Sequence, residues 1–130
     1  MRLEEVLVEG APRPIGPYSQ AVICGDLVFC SGQIGLDPVS GAMVGDDVSV
    51  QAERAVLNLK AVLENAGASL STVVKTTLYL VDMADFSAVN NVYARHFGDA
   101  KPARSTVAVA SLPKGAKVEL DAIAFIPRRS

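Results

Sequence analysis

Apolar side chains repeat along this chain with two periods, and each switch between them marks a new element. Between residues 48 and 66, Ala52, Ala55, Val56, Leu59, Val62, Leu63 and Ala66 fall on one stripe at helical spacing. Asp47 stands where its carboxylate can accept the first free N–H groups, and Gly67 stands where a helix stops. A second stripe of Phe86, Val89, Tyr93 and Phe97 predicts a shorter helix over 86–97. Elsewhere the β-branched and aromatic residues predict strands. They run over 6–8, over 21–24 and 27–31 on either side of a turn at Gly25 and Asp26, then over 73–81, 104–110 and 117–126. Gly10, Pro12, Pro14, Gly16 and Pro17 read as a loop held by restricted φ angles rather than by ladder hydrogen bonds. Further turns fall at 37–41 and 112–115.

The order β, ββ, α, β, α, ββ predicts an α+β fold, one mixed sheet with two helices packed on one face. The opposite face must then bury something else. Composition sharpens this point. The chain has 130 residues, the size of a single domain spanning 1–130, and 50% of them are hydrophobic. A mean hydropathy of +0.31 is more than so small a domain can hide by itself. No apolar run approaches the roughly 20 residues needed to cross a bilayer, so self-association is expected and membrane insertion is not.

Twelve Lys and Arg stand against 14 Asp and Glu, a net charge of −2, so no nucleic-acid partner is expected. Arg128 and Arg129 read as a solvated tail. Met1, Arg2, Leu3, Glu4 and Glu5 place acids where a signal peptide needs a basic and then an apolar stretch, so a cytoplasmic location is expected. A two-residue hairpin turn would set Cys24 opposite Leu27 and Cys30 opposite Ala21, too far apart to bridge. Two buried thiols are expected.

Chemistry must come from few groups. His96 is the lone histidine and sits near a helix C-terminus, a common structural place. No metal-spaced Cys/His cluster and no phosphate-cradling glycine motif is present, so neither a metal nor another cofactor is expected. Arg104 lies at the start of an otherwise small, apolar strand and shares a face with Thr106, Ala108 and Ala110. Its planar fork suits a carboxylate, either a substrate's or a structural acid's. Glu119 alternates with aliphatics, as does Asp121; either could hold a water or move a proton, or simply face solvent. Tyr18 in the proline loop, Ser31 and Gly32 at a strand end, and Asn90 beside the apolar helix stripe complete the candidates. These residues alone indicate only an anion pocket near strand ends.

Taken together, the segments resemble the RidA/YjgF/L-PSP family over nearly the whole chain. The likeness runs through Gly16, Pro17, Tyr18; Ser31, Gly32, Gln33; Val74, Lys75, Thr76, Thr77; and Phe86, Val89, Asn90, Tyr93. It closes on Pro102, Ala103, Arg104, Ser105, then Leu112, Pro113, Lys114, then Val118 and Glu119, which resembles the family signature. The resemblance implies a chorismate-mutase-like fold assembled as a homotrimer, with sites in the clefts between subunits. It also implies cofactor-independent hydrolysis of 2-iminopropanoate and 2-iminobutanoate to 2-keto acids and ammonia. Arg104 would then bind the substrate carboxylate and Glu119 would position or activate water. Tyr18, Ser31, Gly32, Asn90 and Thr106 would line the site. Many deaminase relatives carry Cys where this chain has Thr106, which argues against a thiol-based role there. The competing expectations are a non-catalytic 2-keto acid sensor, an endoribonuclease as reported for some relatives, and a holdase-like chaperone.

Overall fold

In the computed structural model, which describes residues 3–127, the chain forms a six-stranded sheet with two α-helices. The strands are β1 (Leu3–Val6), β2 (Ala21–Cys24), β3 (Leu27–Gln33), β4 (Val73–Leu80), β5 (Ala103–Ala108) and β6 (Val118–Phe125); the helices are α1 (Val48–Asn65) and α2 (Phe86–Phe97). The spatial order is β1-β2-β3-β6-β4-β5. β4 and β5 pair in parallel through the α2 crossover, and β6 runs antiparallel to both β3 and β4. The last two strands of the chain are therefore not neighbours. β6 inserts into the middle of the sheet, and β5 becomes an edge.

Both helices lie on one face, as the α+β reading expects. Ala52, Val56, Leu59, Val62 and Leu63 of α1 join Val28, Leu78, Leu120, Ala122 and Ala124 of the sheet in one buried cluster with Val89, Val92 and Phe97 of α2. Leu59 and Leu63 are completely buried, each stabilising the fold by about 1.5–3 kcal/mol. The Asp47 carboxylate accepts hydrogen bonds from the N–H groups of Ser49 and Val50. Gly67 follows the helix at φ 90°, which a side chain would oppose. His96 closes the helix pair, its Nε2 2.6 Å from Glu53 Oε2 on α1. The contact ties α2 to α1 near the C-terminal end of α2.

Among the described residues no helix packs on the opposite face. Leu27, Phe29, Val107 and Phe125 point there at 39–42% exposure. Among the described residues no helix is long and apolar enough to cross a membrane.

Besides shifts of one or two residues at the ends of β3, β4, β5 and α1, three expectations need correction. The first strand is Leu3–Val6 rather than 6–8, because the N–H and C=O of Val8 bond to the Gln20 side chain instead of a ladder. β6 starts at Val118, because the Lys117 N–H donates to Gln51 Oε1 of α1 and turns that residue out of the strand. The hairpin register holds, with Cys24 opposite Leu27 and Cys30 opposite Ala21, but only Cys30 is fully buried. Arg128 and Arg129 lie outside the described residues.

Candidate active site

Two groups of polar residues stand out, and the sheet keeps them apart. The first surrounds a cleft of about 590 Å³ lined by the proline loop, the end of β3, Pro113, Lys114 and Glu119. Gln20 builds its wall. This side chain is 1% exposed and makes four hydrogen bonds, accepting from Val8 N–H at 2.6 Å and donating to the carbonyls of Val8, Ala11 and Pro12. Prolines leave the loop without enough donors to bond itself to a sheet, so one buried amide does that work. Ser31 ties the other end, its hydroxyl donating to the Ser19 carbonyl at 2.6 Å and its N–H to the Gln20 carbonyl. Tyr18 stands between these anchors, 55% exposed, and lines the cleft.

Glu119 crosses this cleft directly over Gly32. A Cβ at residue 32 would lie 2.0 Å from Glu119 Oε2 and 2.7 Å from its carboxyl carbon, so the absence of a side chain makes the space. The carboxyl group is half-buried, and burial pushes its pKa up, with the nearby Asp121 charge adding to the rise. Asp121 itself is committed elsewhere: it accepts from the Thr77 N–H at 3.2 Å and from the Tyr79 hydroxyl at 3.0 Å. Sequence left the two acids level. The cross-strand partners on β4 single out Glu119 as the one that faces the cleft.

The second group sits on the helix-covered side. Arg104 pairs across the β4–β5 ladder with the buried Thr76. Its guanidinium carbon lies 4.7 Å from the Tyr93 ring centroid and 5.4 Å from that of Phe86. Nη1 donates to Asn90 Oδ1 at 2.8 Å. Tyr93 is fixed in turn by its hydroxyl, 2.8 Å from Thr76 Oγ1. Among the described residues no carboxylate pairs with Arg104. Thr106 follows on the same face, half-buried beside Leu78.

Strand alternation puts these groups on opposite faces. In β6, Val118, Leu120 and Ala122 face the helices, so Glu119 faces away from them, whereas Arg104 shares the helix side with Thr76. The structure thus brings Tyr18, Ser31, Gly32 and Glu119 into one cleft and Asn90, Arg104 and Thr106 into another region; it does not join the two within one chain.

Sequence reasoning missed Arg13, Gln20 and Lys114 as cleft residues and read Phe86 and Tyr93 only as core. A glutamine opening an apolar strand and an arginine between two prolines were the available signals. The described residues contain no group of three or more His, Cys, Asp or Glu able to hold a metal ion. Burial pushes the Cys30 thiol up to about 12, which keeps it protonated and unreactive at neutral pH.

Fold and clefts together define a small α+β domain with a cleft near its strand ends that is lined by Arg13, Lys114 and Glu119. Residues 8–126 match the family model described as endoribonuclease L-PSP, and the chain belongs to this RidA/YjgF/L-PSP family. It is 50% identical to a RutC family protein of Pyrococcus abyssi, over 96% of this chain and 98% of that protein. It is 48% identical to a 2-iminobutanoate/2-iminopropanoate deaminase of Capra hircus, over 88% of this chain and 83% of the relative. Among solved structures it superposes on the serine-bound TdcF of E. coli with TM-score 0.89 at 40% identity, covering 98% of this chain and 99% of that one.

Proposed function

We propose that this protein hydrolyses reactive 2-imino acids to 2-keto acids and ammonia, at a site completed by a neighbouring copy in a homotrimer. The observation that carries the reading is Arg104. Its guanidinium is aimed by Asn90 and two aromatic faces, yet no carboxylate answers it among the described residues. A half-buried cation so fixed is matched by a ligand's carboxylate, which its planar fork can grip with two hydrogen bonds. The goat relative is named for acting on two such acids, and the TdcF neighbour holds serine, an amino acid of the same carboxylate-bearing class.

Glu119 supplies the other half. Its raised pKa makes it a better base near neutral pH than an ordinary glutamate. A protonated imine is already electrophilic, so no cofactor is needed. Glu119 takes one proton from water as the oxygen adds to the imine carbon, giving a carbinolamine. The carboxyl group returns that proton to nitrogen, the C–N bond breaks to release ammonia, and the Glu119 carboxylate carries the hydroxyl proton to that ammonia as the keto group forms. Iminium plus water becomes keto acid plus ammonium, with charge conserved. Tyr18, Ser31 and Gly32 line the water side; Asn90 and Thr106 flank the carboxylate side.

The opposed faces of Arg104 and Glu119 support a shared site, since a second copy can bring its arginine to this copy's cleft. The apolar face opposite the helices, with Leu27, Phe29, Val107 and Phe125, supports the same assembly. The family description names a ribonuclease, but a net charge of −2 gives an RNA backbone little attraction.

The test generates 2-iminobutanoate in situ from threonine with a dehydratase and follows its conversion to 2-oxobutanoate and ammonia. The proposal expects acceleration well above spontaneous hydrolysis. Conversion at the spontaneous rate with micromolar protein would overturn it.

A further inference from the structure

The cleft beside Glu119 carries more positive charge than imine hydrolysis uses. Its charged lining consists of Arg13, Lys114 and Glu119. Among the described residues nothing pairs with the Arg13 guanidinium. Among those residues the Lys114 ammonium has only the Gly41 carbonyl, at 3.5 Å. Exposed cations without partners are ordinarily solvated and mobile. These two differ in what carries them.

Arg13 stands between Pro12 and Pro14. The first proline has a fixed φ, and the second bars Arg13 from helical geometry, so its backbone has little freedom to lose. The carbonyls of Ala11 and Pro12, just ahead of it, are held by the buried Gln20 amide at 3.2 and 2.8 Å. Lys114 sits at φ 55° in the turn Pro113–Gly115, a left-handed conformation that lysine adopts only where its surroundings impose it. Both charges therefore rise from stiff backbone at one cleft. The cleft volume of about 590 Å³ falls in the range that holds ligands much larger than a four-carbon acid. Ile15, Ile34 and Leu36 offer apolar lining for a methylene chain.

We propose that Arg13 and Lys114 form a second anion subsite, which selects 2-imino acids whose side chain bears a carboxylate of its own. The turnover side of this inference rests on the deaminase reading; the binding side rests only on the shared site. In the shared site, Arg104 of a neighbouring copy takes the α-carboxylate, and the Arg13–Lys114 rim takes the distal one. Arg13 is then a specificity-determining residue for the length and charge of the substrate side chain.

The experiment compares 2-oxoglutarate with 2-oxobutanoate, products of the two substrate classes, by calorimetry at low salt on the intact protein. Wild type should bind 2-oxoglutarate about five- to twentyfold more tightly, the range for charge-assisted contacts that remain partly solvated. Arg13→Gln and Lys114→Gln should each reduce that ratio, and added salt should shrink it. Imines made from glutamate and from 2-aminobutanoate by an amino-acid oxidase should give the same order of kcat/KM. Equal binding of the two keto acids by wild type would overturn the proposal. So would an Arg13→Gln variant that weakens both acids equally, because Arg13 would then be the α-carboxylate anchor. If the keto-acid preference stands but neither imine is hydrolysed, the subsite survives and the deaminase reading fails. If 2-iminobutanoate is hydrolysed without any preference, the subsite fails alone.

Discussion

Replacing Gly32 by alanine tests the placement of Glu119 without touching Glu119. The added methyl would stand 2.0 Å from Oε2, and ordinary contact begins at 3.4 Å, so the carboxylate must move by about 1.4 Å. A misplacement of about 1 Å in a catalytic group can cost on the order of a hundredfold in rate. We therefore expect Gly32→Ala to lower kcat on 2-iminobutanoate by roughly a hundredfold, close to the loss from Glu119→Gln. The fold should survive. What the methyl meets is the end of a flexible side chain, and alanine reduces the freedom of the unfolded chain by about 0.4–1 kcal/mol. A strained glutamate rotamer works the other way by about 0.5–1.5 kcal/mol, so Tm should shift by no more than about 5 °C. The assay is steady-state kinetics beside a thermal melt, completed by the double variant. If both changes act through one carboxylate, Gly32→Ala adds little once Glu119 is glutamine. Full turnover in Gly32→Ala, or losses that multiply in the double variant, would refute the assignment of Glu119 as the group over Gly32 that handles water.

Three further outcomes follow from the same geometry. Arg104→Lys keeps the charge but loses the fork that Asn90 aims, so calorimetry should show 2-oxobutanoate binding weakened by about 1.5–3 kcal/mol, ten- to a hundredfold; unchanged binding would place the carboxylate anchor elsewhere. Thr106→Ala should change turnover by less than about tenfold, since a neutral hydrogen bond contributes about 1 kcal/mol; a loss of several hundredfold would give Thr106 a catalytic task. Because burial raises the Glu119 pKa, the folded state holds this proton more tightly than the unfolded chain does. Stability from this group therefore falls as pH rises from the ordinary value of 4.5 through the raised one, while turnover rises with the ionised fraction. Melts across that window should show Glu119→Gln equal to wild type in acid and more stable above it; a constant difference would mean the carboxyl is not desolvated.

Local pattern was legible and long-range placement was not. The stripe from Ala52 to Leu63, its Asp47 cap and Gly67 stop, and the turn at Gly25 and Asp26 all depend on neighbours in sequence, and each sits where the pattern puts it. Alternation correctly grouped Arg104 with Thr106, and Glu119 with Asp121. It could not say that the two groups lie on opposite faces, because that depends on β6 entering between β3 and β4. The choice of Glu119 over Asp121 had the same origin: Tyr79 and Thr77, which occupy Asp121, belong to a strand some forty residues away. Gln20 was invisible for a related reason. Its partners are backbone carbonyls in a loop, which carry no signature in residue type.

Subunit mixing tests the central claim most directly. Arg104→Ala and Glu119→Gln variants, each expected to be strongly impaired alone, are unfolded together, refolded and assayed on 2-iminobutanoate. A cleft that takes its arginine from one copy and its glutamate from the next has about a one-in-four chance of receiving both intact residues in a randomly mixed trimer. Mixed assemblies should recover about a quarter of wild-type activity per site, together with a trimeric mass by light scattering. Mixed assemblies that stay inactive, or an active monomeric wild type, would contradict it.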